Sequence, residues 1–99
     1  MSMPNTNLPS MFHLNHEARR RLRQLREAMG LSRPKFAEKL GIPSTTLKNY
    51  ELGYREIGGG LFLVIANHNE LNEYATWLMN GTHIPQLMLT ANDIKQVHS

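Results

Sequence analysis

Residues 33–52 read RPKFAEKLGIPSTTLKNYEL. Ser32, which precedes them, can cap a helix by accepting a hydrogen bond from a backbone N–H of the first turn. Gly41 can end that helix in the left-handed conformation, because it has no Cβ to make this conformation costly. Pro43 favours an extended backbone at the residue before it, so the chain turns sharply before helical periodicity resumes at Ser44. The stretch therefore predicts two short helices joined by a tight turn.

The sizes of three residues at fixed offsets make this interpretation more specific. Two helices that cross steeply need a small residue at Ala37, a turn conformation at Gly41 and an apolar docking residue at Leu47. None of the three is specific alone. Together, at these offsets, they indicate a helix-turn-helix unit.

The second helix of this unit has one polar face. On a helical wheel Leu47 and Tyr50 face the core, and four polar residues share the opposite face: Ser44, Thr45, Lys48 and Asn49. Hydroxyl and amide groups can hydrogen-bond to base edges in the major groove of DNA, and a threonine methyl can meet a thymine methyl. The alternative is that Ser44 or Thr45 only caps the helix and that Asn49 is only solvated.

The remaining sequence predicts three more helices. Asn15 can cap a first helix that ends near Gly30, and apolar spacing predicts a fourth helix over residues 61–68 and a fifth over residues 71–80. We therefore expect a compact all-α domain of five short helices.

Two tails flank the predicted domain. Residues 1–15 contain Pro4 and Pro9 and predict a flexible N-terminal arm. Residues 83–99 predict a short C-terminal tail, for which a strand, a helix from Asn92 onward and disorder all remain open. We expect this tail to contribute to dimerisation.

Composition and charge bound the class of protein. A chain of 99 residues with 40% hydrophobic residues suits one globular domain. The formal net charge is only +3, but five of the eleven basic residues lie between Arg19 and Arg26. This cluster favours a polyanionic partner, the alternative being a solvated arginine-rich helix face. The absence of cysteine and of a long apolar run predicts a cytoplasmic protein without membrane contact.

Catalytic signals are weak. The histidines at His13, His16 and His83 lack carboxylate or cysteine companions at ligand spacing, and Asp93 is the only aspartate. The glycines at 58–60 lack the Lys-Ser/Thr pair of a phosphate-binding loop. We therefore expect no enzyme, no metal and no cofactor.

Residues 31–42 and 50–53 together resemble the Cro/cI-type (XRE-like) helix-turn-helix family, which includes the lambdoid phage repressors. The segment WLMNGT at residues 77–82 is similar to the end of the fifth helix in that family. The resemblance covers residues 16–82. It implies a five-helix domain in a phage or bacterial transcriptional regulator that binds a palindromic double-stranded DNA operator as a homodimer.

The resemblance also implies roles for individual residues. Base contacts fall on Ser44, Thr45, Lys48 and Asn49. Phosphate contacts fall on Ser32, Arg33 and Arg55. Arg26 and Glu51 correspond to a structural ion pair between the first helix and the end of the third.

Three features depart from the family pattern. Pro43 stands where the family usually has a capping serine or threonine, so the recognition helix is expected to start one residue later, which would shift which hydroxyl reaches a base. The loop 54–60 has a single basic residue, Arg55, and the stretch 67–72 is longer than the usual turn.

Two functional hypotheses follow. The first is a dimeric repressor whose interface uses Trp77, Ile84, Leu87 and Leu89, with a core position as the alternative for Trp77. The second is an antitoxin-like module that neutralises a partner protein and binds DNA for autoregulation.

Overall fold

Helix α1 spans Met11–Ala28 in the computed structural model, which describes residues 8–90. The Oγ atom of Ser10 caps it by accepting a hydrogen bond from the backbone N–H of His13 at 3.0 Å. The predicted start at Asn15 is therefore wrong by about one turn. The first turn of α1 is exposed, so the spacing of core residues gives no signal for it in the sequence. Residues 11–15 of the predicted arm are helical, and residues 1–7 lie outside the described part.

The next two helices form the predicted unit. Helix α2 spans Arg33–Leu40 and helix α3 spans Ser44–Leu52. Ser32 caps α2 by accepting a hydrogen bond from the backbone N–H of Lys35 at 3.4 Å. Gly41 ends α2 with φ at 72°, the left-handed conformation that the sequence predicts there.

The second half of the domain is made of shorter elements. Helix α4 spans Gly59–Ala66, and a 3₁₀ turn at Asn72–Tyr74 leads into helix α5 at Ala75–Asn80. Helix α4 thus starts and ends about two residues earlier than predicted, and the predicted fifth helix is split into the 3₁₀ turn and α5. Residues 86–90 are also helical, so the tail forms no strand there. The helix predicted from Asn92 onward lies outside the described residues.

One apolar core joins these elements, with α1 packed against α3 and α5 and with α2 packed against α3 and α4. Its largest fully buried side chains come from every helix or the loops between them: Leu22, Leu25, Phe36, Leu47, Ile65, Leu71 and Leu78. Trp77 is also in this core, which is the alternative that the sequence left open for it. Met88 from the tail is buried as well, at 3% exposure. The all-α expectation is confirmed.

None of the helices within residues 8–90 combines the length and the apolar character needed to cross a lipid bilayer.

Candidate nucleic-acid interface

Helix α3 presents one polar face to solvent. Leu47 is fully buried and Tyr50 nearly so, which fixes the rotation of the helix about its axis. Thr45 and Lys48 are exposed, and Ser44 and Asn49 are half-buried. Within residues 8–90, these four side chains make no hydrogen bond or ion pair with another residue. As far as residues 8–90 are concerned, their donors and acceptors are therefore available to an external partner.

The start of α3 differs from that of α2. Its N-cap is Pro43, which has extended backbone angles and provides no side-chain hydrogen bond to the first turn. The helix nevertheless begins at Ser44, because the Pro43 carbonyl accepts the N–H of Leu47 at 3.2 Å. The hydroxyls of Ser44 and Thr45 therefore do not act as caps, unlike that of Ser32 in α2.

A buried carboxylate lies behind α3. The Glu51 side chain is fully buried, and its two oxygens accept from Arg26 Nε at 2.7 Å and Arg26 Nη2 at 2.9 Å. This is the ion pair that the family resemblance implies. The hydrogen bonds to Glu51 raise the pKa of Arg26 above its ordinary value. The one acid of α3 is thus turned away from the polar face.

The two residues predicted to contact phosphate at the start of α2 are placed differently. The Ser32 hydroxyl accepts the capping hydrogen bond, and Arg33 Nε donates to Glu51 Oε1 at 3.1 Å. The Arg33 side chain retains 29% exposure. Arg33 is therefore held against the protein through one nitrogen while part of its guanidinium reaches solvent.

The loop after α3 is fixed at several points. Gly53 ends α3 with φ at 78°, and the carbonyl of Asn49 accepts the N–H groups of Tyr54 at 2.9 Å and Arg55 at 3.2 Å. The guanidinium of Arg55 lies over the ring of Tyr50, 5.5 Å from its centroid. The exposed Arg55 is thus held beside the end of α3.

Comparison with known proteins agrees with this geometry. The family model described as "Helix-turn-helix" matches residues 22–70. The chain carries a helix-turn-helix domain. The match is consistent with the Cro/cI-type, XRE-like resemblance, and it supports a DNA-binding helix-turn-helix regulator. No curated protein and no solved structure matches the chain.

The contacts of Asn15 and Arg19 on α1 were also not foreseen from the sequence. The Asn15 side chain, predicted as a cap, accepts the N–H of Ile57 at 2.9 Å and so ties the loop to α1. The Arg19 guanidinium covers Gly53 so closely that a Cβ there would lie 1.9 Å from Arg19 Nη1. The arginine cluster on α1 draws attention to Arg19 in the sequence. Its contact with Gly53 could not be predicted, because it depends on how α1 packs against α3.

The predicted dimer residues of the helix-turn-helix chain fall into two groups. Trp77 is 6% exposed, so little of its surface is left for a partner chain. Ile84 is 50% exposed and Leu89 is 42% exposed, whereas Leu87 is half-buried against the core. The outward-facing members of the set are therefore Ile84 and Leu89.

Proposed function

We propose that this chain is a sequence-specific transcriptional regulator, a cytoplasmic dimeric repressor that reads a palindromic operator with α3 in the major groove. The observation that carries the proposal is the polar face of α3. Its four side chains, Ser44, Thr45, Lys48 and Asn49, have no partner among residues 8–90, and the only acid of the helix is buried behind them. Such groups can bond base edges without first breaking a bond within the domain.

Phosphate contacts would flank this face. Arg33 stands at the start of α2 and donates to Glu51, and Arg55 follows the end of α3 and lies over Tyr50. Both guanidiniums therefore lie near the last turn of α3. Contacts of this type set the register of a protein on DNA and supply affinity that does not depend on sequence. Ser32 adds its hydroxyl oxygen at the same end as Arg33.

The dimer belongs to this proposal because one recognition helix covers only a few base pairs. Two helices about 34–36 Å apart would read two half-sites one helical turn apart. The exposed apolar residues Ile84 and Leu89 are the candidate interface.

The test begins with selection of bound duplexes from a random DNA pool, which reports sequence preference, palindromy and half-site spacing together. On the selected site, Thr45→Ala and Lys48→Ala should each weaken binding by about 1–3 kcal/mol and relax the preference at one base position. Arg33→Ala should instead weaken binding to every duplex and reduce the slope of the salt dependence by about one.

Thr76→Ala is the matched control, since Thr76 is an exposed threonine on α5, outside the helix-turn-helix unit. It should bind like the parent chain. Unchanged binding by all three interface variants would contradict the proposal.

We also propose that the chain is not an enzyme and uses no cofactor. The support is chemical: the chain has one aspartate and no cysteine, so it offers neither an aspartate cluster for a metal ion nor a thiolate nucleophile. Duplex DNA incubated with the protein and Mg²⁺ should stay intact on a denaturing gel. Cleavage would contradict this part of the proposal.

A second candidate function is that of an antitoxin-like module. It is favoured by the exposed Met11 and Phe12 on the first turn of α1, at 78% and 79% exposure. Met11 also lines an apolar groove of about 260 Å³, together with Leu14, Phe62 and Met79. Co-purification of a stoichiometric second protein, lost in Phe12→Ser, would support this function.

A further inference from the structure

One buried carboxylate binds two guanidiniums from different helices. Glu51 on α3 accepts from Arg26 on α1 and from Arg33 on α2. The family resemblance pairs Glu51 with Arg26 alone. Two positive groups and one negative group leave the cluster with one net positive charge, at the start of the helix that is expected to meet phosphate.

The two arginines are engaged to different extents. Arg26 donates Nε and Nη2 to Glu51 and Nη1 to the carbonyl of Leu31 at 3.0 Å, so each of its three nitrogens is engaged. Arg33 donates only Nε, and within residues 8–90 its two terminal nitrogens have no partner. Its side chain is also the more exposed of the two, at 29% against 13%. Arg26 is therefore a structural residue. The two terminal nitrogens of Arg33, which have no partner within residues 8–90, can donate to a ligand.

The bond through Nε has a geometric consequence. A guanidinium is planar and rigid, so a hydrogen bond from Nε to a buried, immobile carboxylate limits the orientation of the whole group. The two terminal nitrogens then remain together on the free edge, which is the arrangement that binds phosphate oxygens in pairs. A side chain ordered before binding also loses less conformational entropy when it binds.

We propose that Glu51 is a positioning residue for DNA binding: its buried carboxylate holds Arg33 by Nε and leaves the terminal nitrogens of Arg33 directed at a DNA phosphate. This inference rests on the proposed function, because it assigns a cause to the phosphate contact of Arg33. It gives Glu51 two tasks, one in the fold through Arg26 and one at the interface through Arg33.

A double-mutant cycle separates these tasks. Binding to a short fluorescent DNA duplex of arbitrary sequence is measured for the parent chain, Glu51→Gln, Arg33→Ala and the double variant, since phosphate contacts do not depend on sequence. We expect Glu51→Gln to weaken binding roughly three- to tenfold when Arg33 is present. In the Arg33→Ala background the same change should alter binding by less than about twofold.

Other results would overturn the inference in distinguishable ways. Equal weakening in both backgrounds would make Glu51 a partner of Arg26 only. Tighter binding by Glu51→Gln that requires Arg33 would show that Glu51 competes with DNA for that arginine. Failure of the parent chain to bind any duplex would overturn the proposed function and this inference together.

Two further variants control for charge and folding. Glu38→Gln removes the same charge from an exposed position on α2 and should not weaken binding. Arg33→Lys keeps the charge and the fold, but a single ammonium lacks the separate Nε and terminal nitrogens. We expect it to bind several-fold more weakly than the parent. Arg33→Lys that binds as tightly as the parent would overturn the inference even if Glu51→Gln fails to fold.

Discussion

Lys39 and Glu70 form an exposed ion pair between α2 and the turn that follows α4. The hydrogen bond from Lys39 and its positive charge lower the pKa of the Glu70 carboxyl below its ordinary value. A carboxyl with a lowered pKa adds stability at pH values above its unfolded-state pKa, about 4.3, and this contribution disappears as the pH falls through the folded-state pKa. Because the pair is exposed, the effect on stability is small and screened by salt.

The measurement that fits this residue is an NMR titration of the Glu70 carboxyl carbon. Lys39→Ala should raise the midpoint toward the ordinary glutamate value. Lys35→Ala, which removes an exposed lysine from the same helix, should leave it unchanged. Equal midpoints in the parent and Lys39→Ala would show that the pair does not persist in solution.

Single residues also show where prediction from the sequence ends. Gly41 and Ser32 were predicted because a cap or a left-handed residue acts within a few positions of itself. The sequence does not predict the bond between Arg33 and Glu51, although the family resemblance implies a role for each of them. It joins positions 18 apart and depends on the angle at which α2 and α3 cross.

The two serine caps at the starts of α1 and α2 make the same bond in different surroundings. Ser10 caps a turn whose Met11 and Phe12 are exposed, whereas Ser32 caps a helix whose Phe36 is fully buried. We expect Ser10→Ala to fray the first turn of α1, with little change in the free energy of global unfolding. Ser32→Ala should lower the free energy of unfolding by about 1 kcal/mol.

Amide hydrogen exchange and urea denaturation measure the two effects. Faster exchange in Ser10→Ala should be confined to residues 11–14. An equal loss of global stability in both variants would mean that the first turn of α1 unfolds together with the core.

The helices also differ in how well the sequence predicts their bounds. The bounds of α2 and α3 were predictable because residues that favour starts and stops flank both helices. The start of α1 does not follow from hydrophobic spacing, because its first turn, which Ser10 caps, is exposed. The division of the fifth helix into a 3₁₀ turn and α5 carries no local signal that distinguishes it from one continuous helix.

At the scale of the whole molecule, residues 83–90 of the tail pack against the domain. Met88 is 3% exposed and contributes to the core, whereas its neighbour Leu89 is 42% exposed. We expect Met88→Ala to lower the free energy of unfolding by about 2–5 kcal/mol, as for other buried large-to-small changes. Leu89→Ala should cost well under 1 kcal/mol by comparison. Similar losses for both, measured by urea denaturation, would show that Met88 is not packed.

The burial of Met88 makes truncation of the tail an unsuitable test of the proposed dimer. Removing the chain after Thr82 would also remove Met88, so a loss of association would be confounded with a loss of folding. Ile84→Glu is the better variant, because Ile84 is half exposed and outside the core. It should convert a dimer to a monomer in analytical ultracentrifugation. Leu63→Glu, an exposed change on α4, should leave the dimer intact. A parent chain that sediments as a monomer at high concentration would contradict the dimer.

The polar face of α3 has a consequence for how the DNA preference of such a protein can evolve. Its four side chains make no hydrogen bond or ion pair with another residue within residues 8–90. In the proposed regulator, operator preference and folding therefore depend on separate residues. A library randomised at Ser44, Thr45, Lys48 and Asn49 should therefore yield mostly folded proteins with many different DNA preferences. In the proposed regulator, new binding specificities would then arise by a few codon changes, without compensating substitutions elsewhere.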